Sequence, residues 1–571
     1  MSEFSGSKLA AGEQTHRSRP EYARGSTGSS HNGSSNFMGT YLNPDNDGFR
    51  QSLNSKIYVD KTGLIAHTNA FLQTQQKYLC ISRPRRFGKS MALDMLAAYY
   101  SRGADSDPLF QGLSASTTDS YREHLNRYDV LCVNMQEFLS RTQNAGDMIQ
   151  LLERRILAEL KREYPDGTTE DDFLFAMQDI YAATRRPFVI LIDEWDCLFR
   201  EYHRENDQRK YLDFLRMWLK DQKFAALVYM TGILPIKKYG THSALNMFYE
   251  YSMTDPGDFS QYFGFTESEV RSLCSSYQMN FEEAKDWYDG YRMPAGKSGS
   301  GTSCQSEFLS MYNPKSVVEA LLRRSFNNYW NRTETYQALK IYIQMNMDGL
   351  KDAIVSMLGG GKIHINTDTF SNDMTTFSTK DDVLTLLVHL GYLNYDCRER
   401  TVSIPNKEVA QEYVNAISTM DWVEVSRSIQ ESRELLTALW NMDAETVAQG
   451  VEHAHYEASV ITYNDENSLS CTIHLAFYVA REYYTILREF PTGKGFADIC
   501  FIPRREHAEK PAAVIELKWD KTAKGALAQI KERNYPESLR DYHGDLLLAG
   551  INYDPKSKKH TCVIEKMVQQ S

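Results

Sequence analysis

The sequence lacks the features that would place it in a membrane or outside the cell. No run of about 18 apolar residues occurs, so a typical transmembrane helix is not predicted. The N-terminal stretch is polar and has no apolar segment typical of a secretory signal. The 9 cysteines are scattered and form no CxxC pair, which argues against a zinc finger and a disulfide framework. We therefore expect a cytoplasmic protein with no membrane partner.

Basic charge is also in short supply. The chain has 64 lysines and arginines against 75 aspartates and glutamates, a net charge of -11. This balance argues against a protein whose whole surface binds nucleic acid, but it leaves room for a local basic groove. Residues 504–566 carry 13 basic and 10 acidic side chains, so the C-terminal end is mildly basic. We expect any nucleic-acid contact to be salt-sensitive and confined to one face.

A phosphate-binding motif lies where a strand-like segment leads into a helix-like one. Lys77–Ser82 is typical of a buried strand and Ser90–Tyr100 of a helix, and the turn between them ends in Gly-Lys-Ser. Backbone N–H groups at a helix N-terminus bind phosphate, the lysine can reach the β- and γ-phosphates, and the serine hydroxyl can bind Mg²⁺. An arginine replaces the first glycine of the general P-loop pattern. The predicted ATP-binding loop consists of Arg83, Pro84, Arg85, Arg86, Phe87, Gly88, Lys89 and Ser90.

Two later strand ends add to this prediction. The apolar strand Phe188–Ile192 ends in Asp193 and Glu194, as in a Walker B motif. We expect Asp193 to hold the Mg²⁺ and Glu194 to polarise the attacking water. Thr231 follows the next strand, Ala225–Met230, where a γ-phosphate sensor would lie. A threonine that merely ends a strand is an equally good interpretation of this position.

A second pattern of phosphate chemistry lies near the C-terminus. Asp498 stands at the start of one predicted strand, and Glu516 and Lys518 lie on the next. Carboxylates on adjacent strands can coordinate Mg²⁺ for phosphodiester hydrolysis, and residues two apart on a strand point to one face. The triplet alone fits a surface strand with a solvated Glu–Lys pair better than a metal site. The alternation with Ile515 and Leu517 favours the metal site, since it predicts that the polar side chains face away from the core.

Together these motifs resemble the bacterial-type AAA-ATPase-like proteins with a C-terminal PD-(D/E)XK nuclease domain. The resemblance covers most of the chain, from Ile57 to Glu565, and the loop without its first glycine is common in that family. It rests also on aromatic and glycine motifs, which include Tyr58-Val59-Asp60-Lys61-Thr62, Phe263-Gly264-Phe265-Thr266-Glu267, Trp287-Tyr288-Asp289-Gly290-Tyr291, Tyr312-Asn313-Pro314, Leu390-Gly391-Tyr392-Leu393 and Gly495-Phe496-Ala497-Asp498-Ile499.

The resemblance implies the remaining parts of the two sites. Glu466 would be an additional acid of the nuclease site, and Gln529 would help to orient water or DNA. ATP with Mg²⁺ would bind at the N-terminal loop, and Mg²⁺ or Mn²⁺ at the nuclease acids. The metal ligands would be Ser90, Asp193, Asp498 and Glu516.

The same pattern predicts an α/β multidomain protein built around a parallel P-loop sheet. The expected parts are a disordered leader or tag at 1–37, a P-loop AAA-like ATPase domain at 38–254, a helical lid region at 255–345, a winged-helix-like linker module at 346–428, and a PD-(D/E)XK α/β/α nuclease-like domain at 429–571.

We expect an ATP-hydrolysing protein coupled to a Mg²⁺-dependent nuclease, with DNA as the expected substrate. Nucleotide binding would gate cleavage through the helical region. Two other functions stay open. One is a nucleotide-dependent switch or scaffold whose nuclease fold binds without cleaving, and the other is an ATPase remodeller that works as a homo-oligomeric ring.

Overall fold

Apolar segments of the N-terminal half form one parallel sheet in the computed structural model. Its strands are β1 Tyr78–Ser82, β2 Asp129–Asn134, β3 Phe188–Asp193, β4 Ala225–Gly232 and β5 Tyr249–Tyr251. They lie in the order β2-β3-β4-β1-β5, and every neighbouring pair is parallel. Helices cover both faces of such a sheet, which is why its strands are almost wholly apolar. The sequence predicts the first four strands, whereas β5 has three residues, none of them buried, and gives no apolar run.

The structure describes residues 37–166, 171–201, 204–236, 245–295, 307–330, 336–344, 347, 349–370, 377–418, 423–457, 472–492, 495–504, 507–532 and 544–567. Apart from Phe37, the predicted leader at 1–37 lies outside these residues, as does Glu466. Within the described ranges, no helix is both long and apolar enough to cross a membrane.

Helices pack on the two faces of the first sheet. They are α1 Asp47–Leu53, α2 Leu64–Asn69, α3 Lys89–Tyr100, α4 Asp107–Phe110, α5 Tyr121–His124, α6 Met135–Leu139, α7 Ala145–Glu163, α8 Phe173–Thr184, α9 Cys197–Glu201 and α10 Glu205–Leu219. Successive residues of β1 face opposite layers, as the period of a strand requires. Leu79 and Ile81 lie in the core that contains α3, and Cys80 lies in the core that contains α7 and α8. Because β1, β4 and β3 are parallel neighbours, their carboxyl ends lie at the same edge of this buried sheet.

The lid region combines helices with a small antiparallel sheet. Its elements are β6 Phe265–Thr266, α11 Glu267–Tyr277, α12 Phe281–Tyr288, β7 Tyr291–Pro294, β8 Phe308–Tyr312, α13 Pro314–Arg323 and α14 Tyr336–Gln344. The expected helices are present. The region also contains an antiparallel sheet of order β6-β8-β7, which the sequence did not predict. Tyr291 and Met293 are buried on either side of the exposed Arg292. This alternation is the signature of a strand, but four residues are too few to stand out.

The predicted helix-plus-hairpin pattern of the linker is confirmed. The elements are α15 Leu350–Leu358, β9 Ile363–His364, α16 Lys380–Leu390, β10 Asn394–Asp396, β11 Thr401–Ser403 and α17 Lys407–Ser418. Helix α16 ends at Gly391, whose φ of 87° is the left-handed conformation that glycine adopts without strain. The β10–β11 hairpin follows, and β9 adds a third antiparallel strand.

The C-terminal unit is a mixed sheet between two helical layers. Its helices are α18 Val423–Trp440, α19 Ala444–Glu457, α20 Ala480–Tyr483 and α21 Ala523–Glu532, and its strands are β12 Tyr484–Thr492, β13 Gly495–Pro503, β14 Ala512–Trp519, β15 Leu546–Asp554 and β16 Lys559–Met567. The strands lie in sequence order, with only β14 and β15 parallel, because α21 provides their crossover. Ile515 and Leu517 face the core of α18 and α19, and Val514 faces α21. The predicted α/β/α arrangement is confirmed.

The apolar core of the first sheet continues beyond the predicted boundaries at 254 and 345. One buried cluster contains Leu79 of β1, Tyr291 of β7, Leu384 of α16 and Val409 of α17. The Tyr291 hydroxyl also donates to the Gly391 carbonyl oxygen at 2.6 Å. The lid and linker are thus packed against the first sheet and its helices, and the boundaries between these parts stay predictions.

Candidate functional site

The turn between β1 and α3 has the backbone shape of a phosphate-binding loop. Arg86 and Gly88 adopt positive φ angles of 69° and 90°, which curl the chain just before the helix. No atom lies within 4 Å of a Cβ built on Gly88, so its φ angle rather than crowding favours glycine there. The loop residues precede the first turn of α3, where unpaired N–H groups and the helix dipole favour an anion.

Lys89 lies inside the curve of this loop. Its side chain is 5% exposed, and Nζ donates to the carbonyl oxygens of Arg83 and Pro84 at 3.0 Å each. Burial lowers the pKa of the Lys89 ammonium, and the nearby carboxylates of Glu194 and Asp193 oppose that shift. The two carbonyl contacts are those that phosphate oxygens would replace.

Ser90 connects the loop to the acid at the end of β3. Its Oγ donates to Asp193 Oδ2 at 2.7 Å, and Asp193 Oδ1 accepts the Glu194 N–H at 2.9 Å. Burial raises the pKa of Asp193, while the Ser90 bond and the Lys89 charge lower it. A hydroxyl and a carboxylate held this close fit the ligand set that Mg²⁺ uses beside a nucleotide.

Glu194 belongs to an ion-pair group that the sequence motifs do not reveal. Arg200 bonds the Glu194 carboxylate and lies 3.2 Å from Asp196 Oδ2. Asp196 Oδ2 also accepts the backbone N–H groups of Ile233 and Leu234 at 3.1 and 2.8 Å. This carboxylate therefore ties the end of β3 to the end of β4. The i, i+4 spacing of Asp196, just before α9, and Arg200 in α9 was the available signal.

A cavity of about 480 Å³ opens over the loop, a size that suits a small-molecule ligand. The loop contributes Arg85, Arg86, Gly88, Lys89 and Ser90 to the lining, and Glu194, Lys61 and Lys315 add further charged groups. The lining also includes the apolar residues Phe49, Ile57, Val59, Met95, Phe265 and Val318. A cavity lined by both charged and apolar side chains fits a nucleotide. The sequence motifs identify the loop residues, but the apolar residues come from distant segments and were missed.

Four of the predicted site residues lie outside the cavity wall. The Arg83 guanidinium is fully buried and donates to the carbonyl oxygens of Ser82 and Tyr251 at 2.9 and 2.8 Å. Arg83 contacts Lys89 through its backbone carbonyl oxygen. Pro84 lies against the linker, since a Cβ on Gly391 would come within 2.8 Å of it. Asp193 is absent from the cavity lining but contacts Ser90, which belongs to it. Thr231 is buried beside Ile81, and its Oγ1 has no hydrogen-bond partner in the described part of the chain. Its sensor role stays a prediction.

In the C-terminal unit, the two predicted acids meet where β13 and β14 part. The last pair of their ladder is Ile499 with Ile515, so Asp498 and Glu516 each stand one residue beyond it. Asp498 Oδ2 accepts the Leu517 N–H at 2.6 Å, which fixes this carboxylate against β14. Asp498 is the fourth residue of β13, not the first, because pairing with β12 extends the strand back to Gly495.

Glu516 and Lys518 share one face, as their spacing predicts, and that face is covered by α21. Glu516 Oε1 accepts hydrogen bonds from Lys518 Nζ at 3.0 Å and from Gln529 Nε2. Glu516 is 1% exposed and Lys518 8%. The polar pair therefore points away from Ile515 and Leu517, as expected, but toward α21 instead of solvent. The structure brings together Asp498, Glu516, Lys518 and Gln529.

Two carboxylates are enough for Mg²⁺, which takes one or two from the protein and completes its shell with water and phosphate oxygens. No group of three or more histidine, cysteine, aspartate or glutamate side chains that could hold a metal occurs in the described ranges. Asp498 and Glu516 thus fit a Mg²⁺ or Mn²⁺ ion shared with a substrate, and Glu466 lies outside the described residues.

Comparison with protein families identifies two domains in the chain. Residues 49–241 match a family model described as "Predicted AAA-ATPase", and residues 464–562 match the PD-(D/E)XK nuclease superfamily. The chain carries an AAA-ATPase-like domain and a PD-(D/E)XK nuclease-superfamily domain. The ATPase-like match contains the loop at 83–90 and Asp193, and the nuclease-superfamily match contains Asp498, Glu516 and Lys518.

Individual relatives are more distant. The chain is 28% identical over 294 residues to a protein of Azotobacter chroococcum mcd 1 described as "Uncharacterized protein in vnfD 5'region". That match covers 49% of this chain, and the chain spans about half (51%) of the relative's length. Among solved structures, the Aeropyrum pernix ORC2 protein in ADPNP and ADP complexes (10% identity, 66% of this chain, 98% of that one) gives a TM-score of 0.28. The ORC1 protein of that organism in complex with DNA (12% identity, 67% and 98%) gives 0.25. Scores this low do not establish a shared fold.

Proposed function

We propose that this protein binds and hydrolyses ATP and uses a Mg²⁺-dependent nuclease site to cut DNA. The observation that supports the proposal is that one chain holds two separate groups of side chains whose chemistry suits phosphate reactions. Lys89, Ser90 and Asp193 form one of them, and Asp498 and Glu516 form the other.

The ATPase part of the proposal rests on the contacts of the loop. Lys89 already lies among backbone carbonyl oxygens that phosphates would replace, and Ser90 and Asp193 stand together as a Mg²⁺ ligand set. The Glu194 carboxylate borders the cavity, where it would polarise the attacking water. Its bond to Arg200 keeps it in place.

The nuclease part rests on the arrangement around Glu516. Bound Mg²⁺ would supply an activated water and neutralise charge that develops on the phosphate. Asp498 and Glu516 would hold the ion, and the Leu517 N–H keeps Asp498 aligned. Lys518 stands beside Glu516 and would orient a water or contact the phosphate, while Gln529 fixes the Glu516 carboxylate.

Contacts between the lid, the linker and the nuclease sheet give nucleotide binding a route to the second site. Arg504, directly after β13, pairs with Asp286 of α12. Lys407 of α17 donates to the Arg481 carbonyl oxygen at 3.3 Å, and Arg481 donates to the Leu358 carbonyl oxygen at 2.9 Å. A shift of the lid on nucleotide binding would therefore act directly on the end of β13, the strand that carries Asp498.

The proposal is tested by incubating supercoiled plasmid with the full chain and Mg²⁺ or Mn²⁺, with and without ATP. We expect nicked or linear product that disappears with EDTA, and a rate that changes when ATP is added. ATP hydrolysis without cleavage under any metal would contradict the nuclease proposal and favour the scaffold. Cleavage that is indifferent to ATP would contradict the coupling alone.

A further inference from the structure

A second cavity lies where the lid, the linker and the C-terminal unit meet, and we call it the junction cavity. Its volume is about 340 Å³, which lies in the range of small-molecule sites. Its lining includes Asp286 and Gly290 of the lid, Leu358 and Lys407 of the linker, and Arg481 of the C-terminal unit. Among the described residues, none from the ATP loop or the nuclease site belongs to this lining. Neither proposed activity therefore uses the junction cavity.

Each of the three parts contributes a basic side chain to the junction cavity. These residues are Lys285 of α12, Lys407 at the start of α17, and Arg481 of α20. Lys285 pairs with Glu267 at 3.2 Å, and Lys407 Nζ donates to the Arg481 carbonyl oxygen at 3.3 Å. The Arg481 guanidinium donates to the Leu358 carbonyl oxygen at 2.9 Å and forms no salt bridge within the described ranges. Its other N–H groups remain for a ligand, and the planar guanidinium matches the geometry of phosphate oxygens.

Two carboxyl groups also line the junction cavity, and both are offset in part. Asp286 pairs with Arg504, so its charge is already compensated. Burial raises the pKa of Asp289, which favours its neutral form, and its Oδ2 accepts the Ser310 hydroxyl at 3.1 Å. Arg481 thus stands at the cavity with a positive charge that neither acid pairs with, and this charge favours an anionic ligand.

Asn406 adds an unused hydrogen-bond donor to the same cavity. Its Oδ1 accepts the Val409 N–H at 3.0 Å, the contact by which an asparagine caps a helix. This bond identifies the oxygen of the amide and therefore also its nitrogen. Asn406 Nδ2 is buried and has no hydrogen-bond partner in the described part of the chain. A buried donor without an acceptor is unfavourable, and an oxygen of a bound ligand would remove that cost.

The remaining lining is largely apolar. It includes Met357, Leu358, Ile404, Pro405 and Ile486. A phosphate ion alone would satisfy the polar groups but would leave these side chains without a contact. A phosphate joined to a nucleoside would fill both parts of the cavity, because the base supplies a flat, largely apolar surface.

We propose that the junction cavity binds a nucleoside monophosphate, with its phosphate at Arg481 and Asn406 and its nucleoside against the apolar residues. The bound molecule contacts the lid, the linker and the C-terminal unit at once, and it stabilises their arrangement. Asp286, whose pair with Arg504 joins the lid to the end of β13, belongs to the same lining. The ligand therefore also acts on the proposed route between the two sites, although its binding requires neither ATP hydrolysis nor DNA cleavage.

The test titrates AMP and GMP into the full chain by isothermal calorimetry in EDTA buffer, with guanosine and inorganic phosphate for comparison. EDTA keeps metal from the nuclease acids, and the Lys89→Ala background removes the lysine of the ATP loop. We expect at least one of the two nucleotides to bind with a Kd of about 1 mM or tighter. Guanosine and inorganic phosphate should each bind about tenfold more weakly than that nucleotide, because each makes only part of the contacts.

Two substitutions locate the binding. Asn406→Asp keeps the acceptor for the Val409 N–H, removes the amide donor and adds a negative charge, and Arg481→Gln removes the guanidinium. Each should weaken nucleotide binding by about tenfold or more. The matched control is Asn280→Asp, which makes the same change at the exposed residue that caps α12 and lies outside the lining. Its affinity should equal that of the parent chain.

Absence of binding by both nucleotides would overturn the proposal. Affinity within twofold of the parent in both Asn406→Asp and Arg481→Gln would overturn it as well, and so would an equal loss in Asn280→Asp. Inorganic phosphate that binds as tightly as the nucleotides would overturn the assignment to a nucleoside monophosphate. Thermal unfolding of each variant checks the fold. Asn406→Asp, which retains the helix cap, decides the test if Arg481→Gln is unstable, and the wild-type background replaces Lys89→Ala if that chain is unstable.

Discussion

Ser90 Oγ lies 2.7 Å from Asp193 Oδ2, and this contact joins the N-terminus of α3 to the end of β3. The two residues are 103 positions apart in the sequence. They meet because β4 alone separates β1 from β3 and all three parallel strands end at the same edge. In the proposed function, this hydroxyl and this carboxylate share a Mg²⁺ ion beside the loop.

We expect Lys89→Ala to abolish ATP binding and hydrolysis while the fold is retained. The ammonium lies inside the loop, and no other described lysine reaches the carbonyl oxygens of Arg83 and Pro84. Isothermal titration with ATP and Mg²⁺ checks the loss. The matched control is Lys362→Ala, which removes a surface lysine paired with Glu399. ATP affinity within twofold of the wild type for Lys89→Ala would rule out its assigned role.

We expect Gln529→Ala to slow DNA cleavage by about tenfold without abolishing it. Gln529 does not carry the metal, but its amide holds Glu516 Oε1 in place. A positioning role predicts that the Mg²⁺ concentration for half-maximal cleavage rises and that excess Mg²⁺ restores part of the rate. Loss of cleavage as complete as that of a metal-ligand variant, at every Mg²⁺ concentration, would contradict it.

We expect Asp286→Asn to weaken the effect of ATP on cleavage while the ATPase rate stays unchanged. The substitution removes the ion pair between the lid and Arg504 and changes none of the proposed site residues. Cleavage rates with and without ATP, measured beside the ATPase rate, give the readout. The control Glu267→Gln breaks lid ion pairs with Arg271 and Lys285 that do not reach the nuclease sheet. Coupling that is equal in both variants and the wild type would argue against this route.

We expect stability to depend on pH through Glu408, which is fully buried in α17. Its Oε1 accepts the N–H groups of Tyr329 and Trp330 at 2.7 Å each, yet burial raises its pKa from 4.5 to about 7. A carboxyl with a raised pKa stabilises the fold below the unfolded value, and that stabilisation is lost as the pH rises through about 7. The difference amounts to about 3 kcal/mol at most.

Glu408→Gln keeps an acceptor oxygen for both N–H groups and removes the titration. Thermal unfolding should show equal stability of the variant and the wild type near about pH 4.5, and a more stable variant near about pH 8. The exposed Glu399→Gln should show no such pH dependence. Equal stability of the wild type and Glu408→Gln at every pH in this range would contradict the account.

The sequence identifies the parts of the fold that repeat a strong local pattern. The first four strands of the first sheet, the helix with its hairpin over 381–404, and the ExK strand follow from apolar periodicity and from turn residues. The short strands β5 and β7 escape it, because three or four residues carry too little pattern. Local motifs likewise give Lys89, Ser90 and Glu516, whose roles depend on their own loop or strand.

Features that depend on long-range packing could not be predicted. Arg83 is buried against Tyr251, 168 residues away, and no local signal distinguishes it from the exposed Arg85. Glu516 looks solvated in the sequence, but α21 covers it and Gln529 bonds it. The apolar residues that line the cavity over the loop come from segments before and after the loop in the sequence, including Phe49 and Phe265, which only the tertiary fold brings together.

The central claim is that Asp498, Glu516 and Lys518 form a working nuclease site, and one measurement tests it most directly. Plasmid cleavage with Mg²⁺ is compared between the wild type and Glu516→Gln, with ATP binding measured on the same preparations. The account predicts that Glu516→Gln loses metal-dependent cleavage and keeps ATP affinity, since Glu516 lies in the nuclease sheet. Cleavage by Glu516→Gln at the wild-type rate would contradict the site.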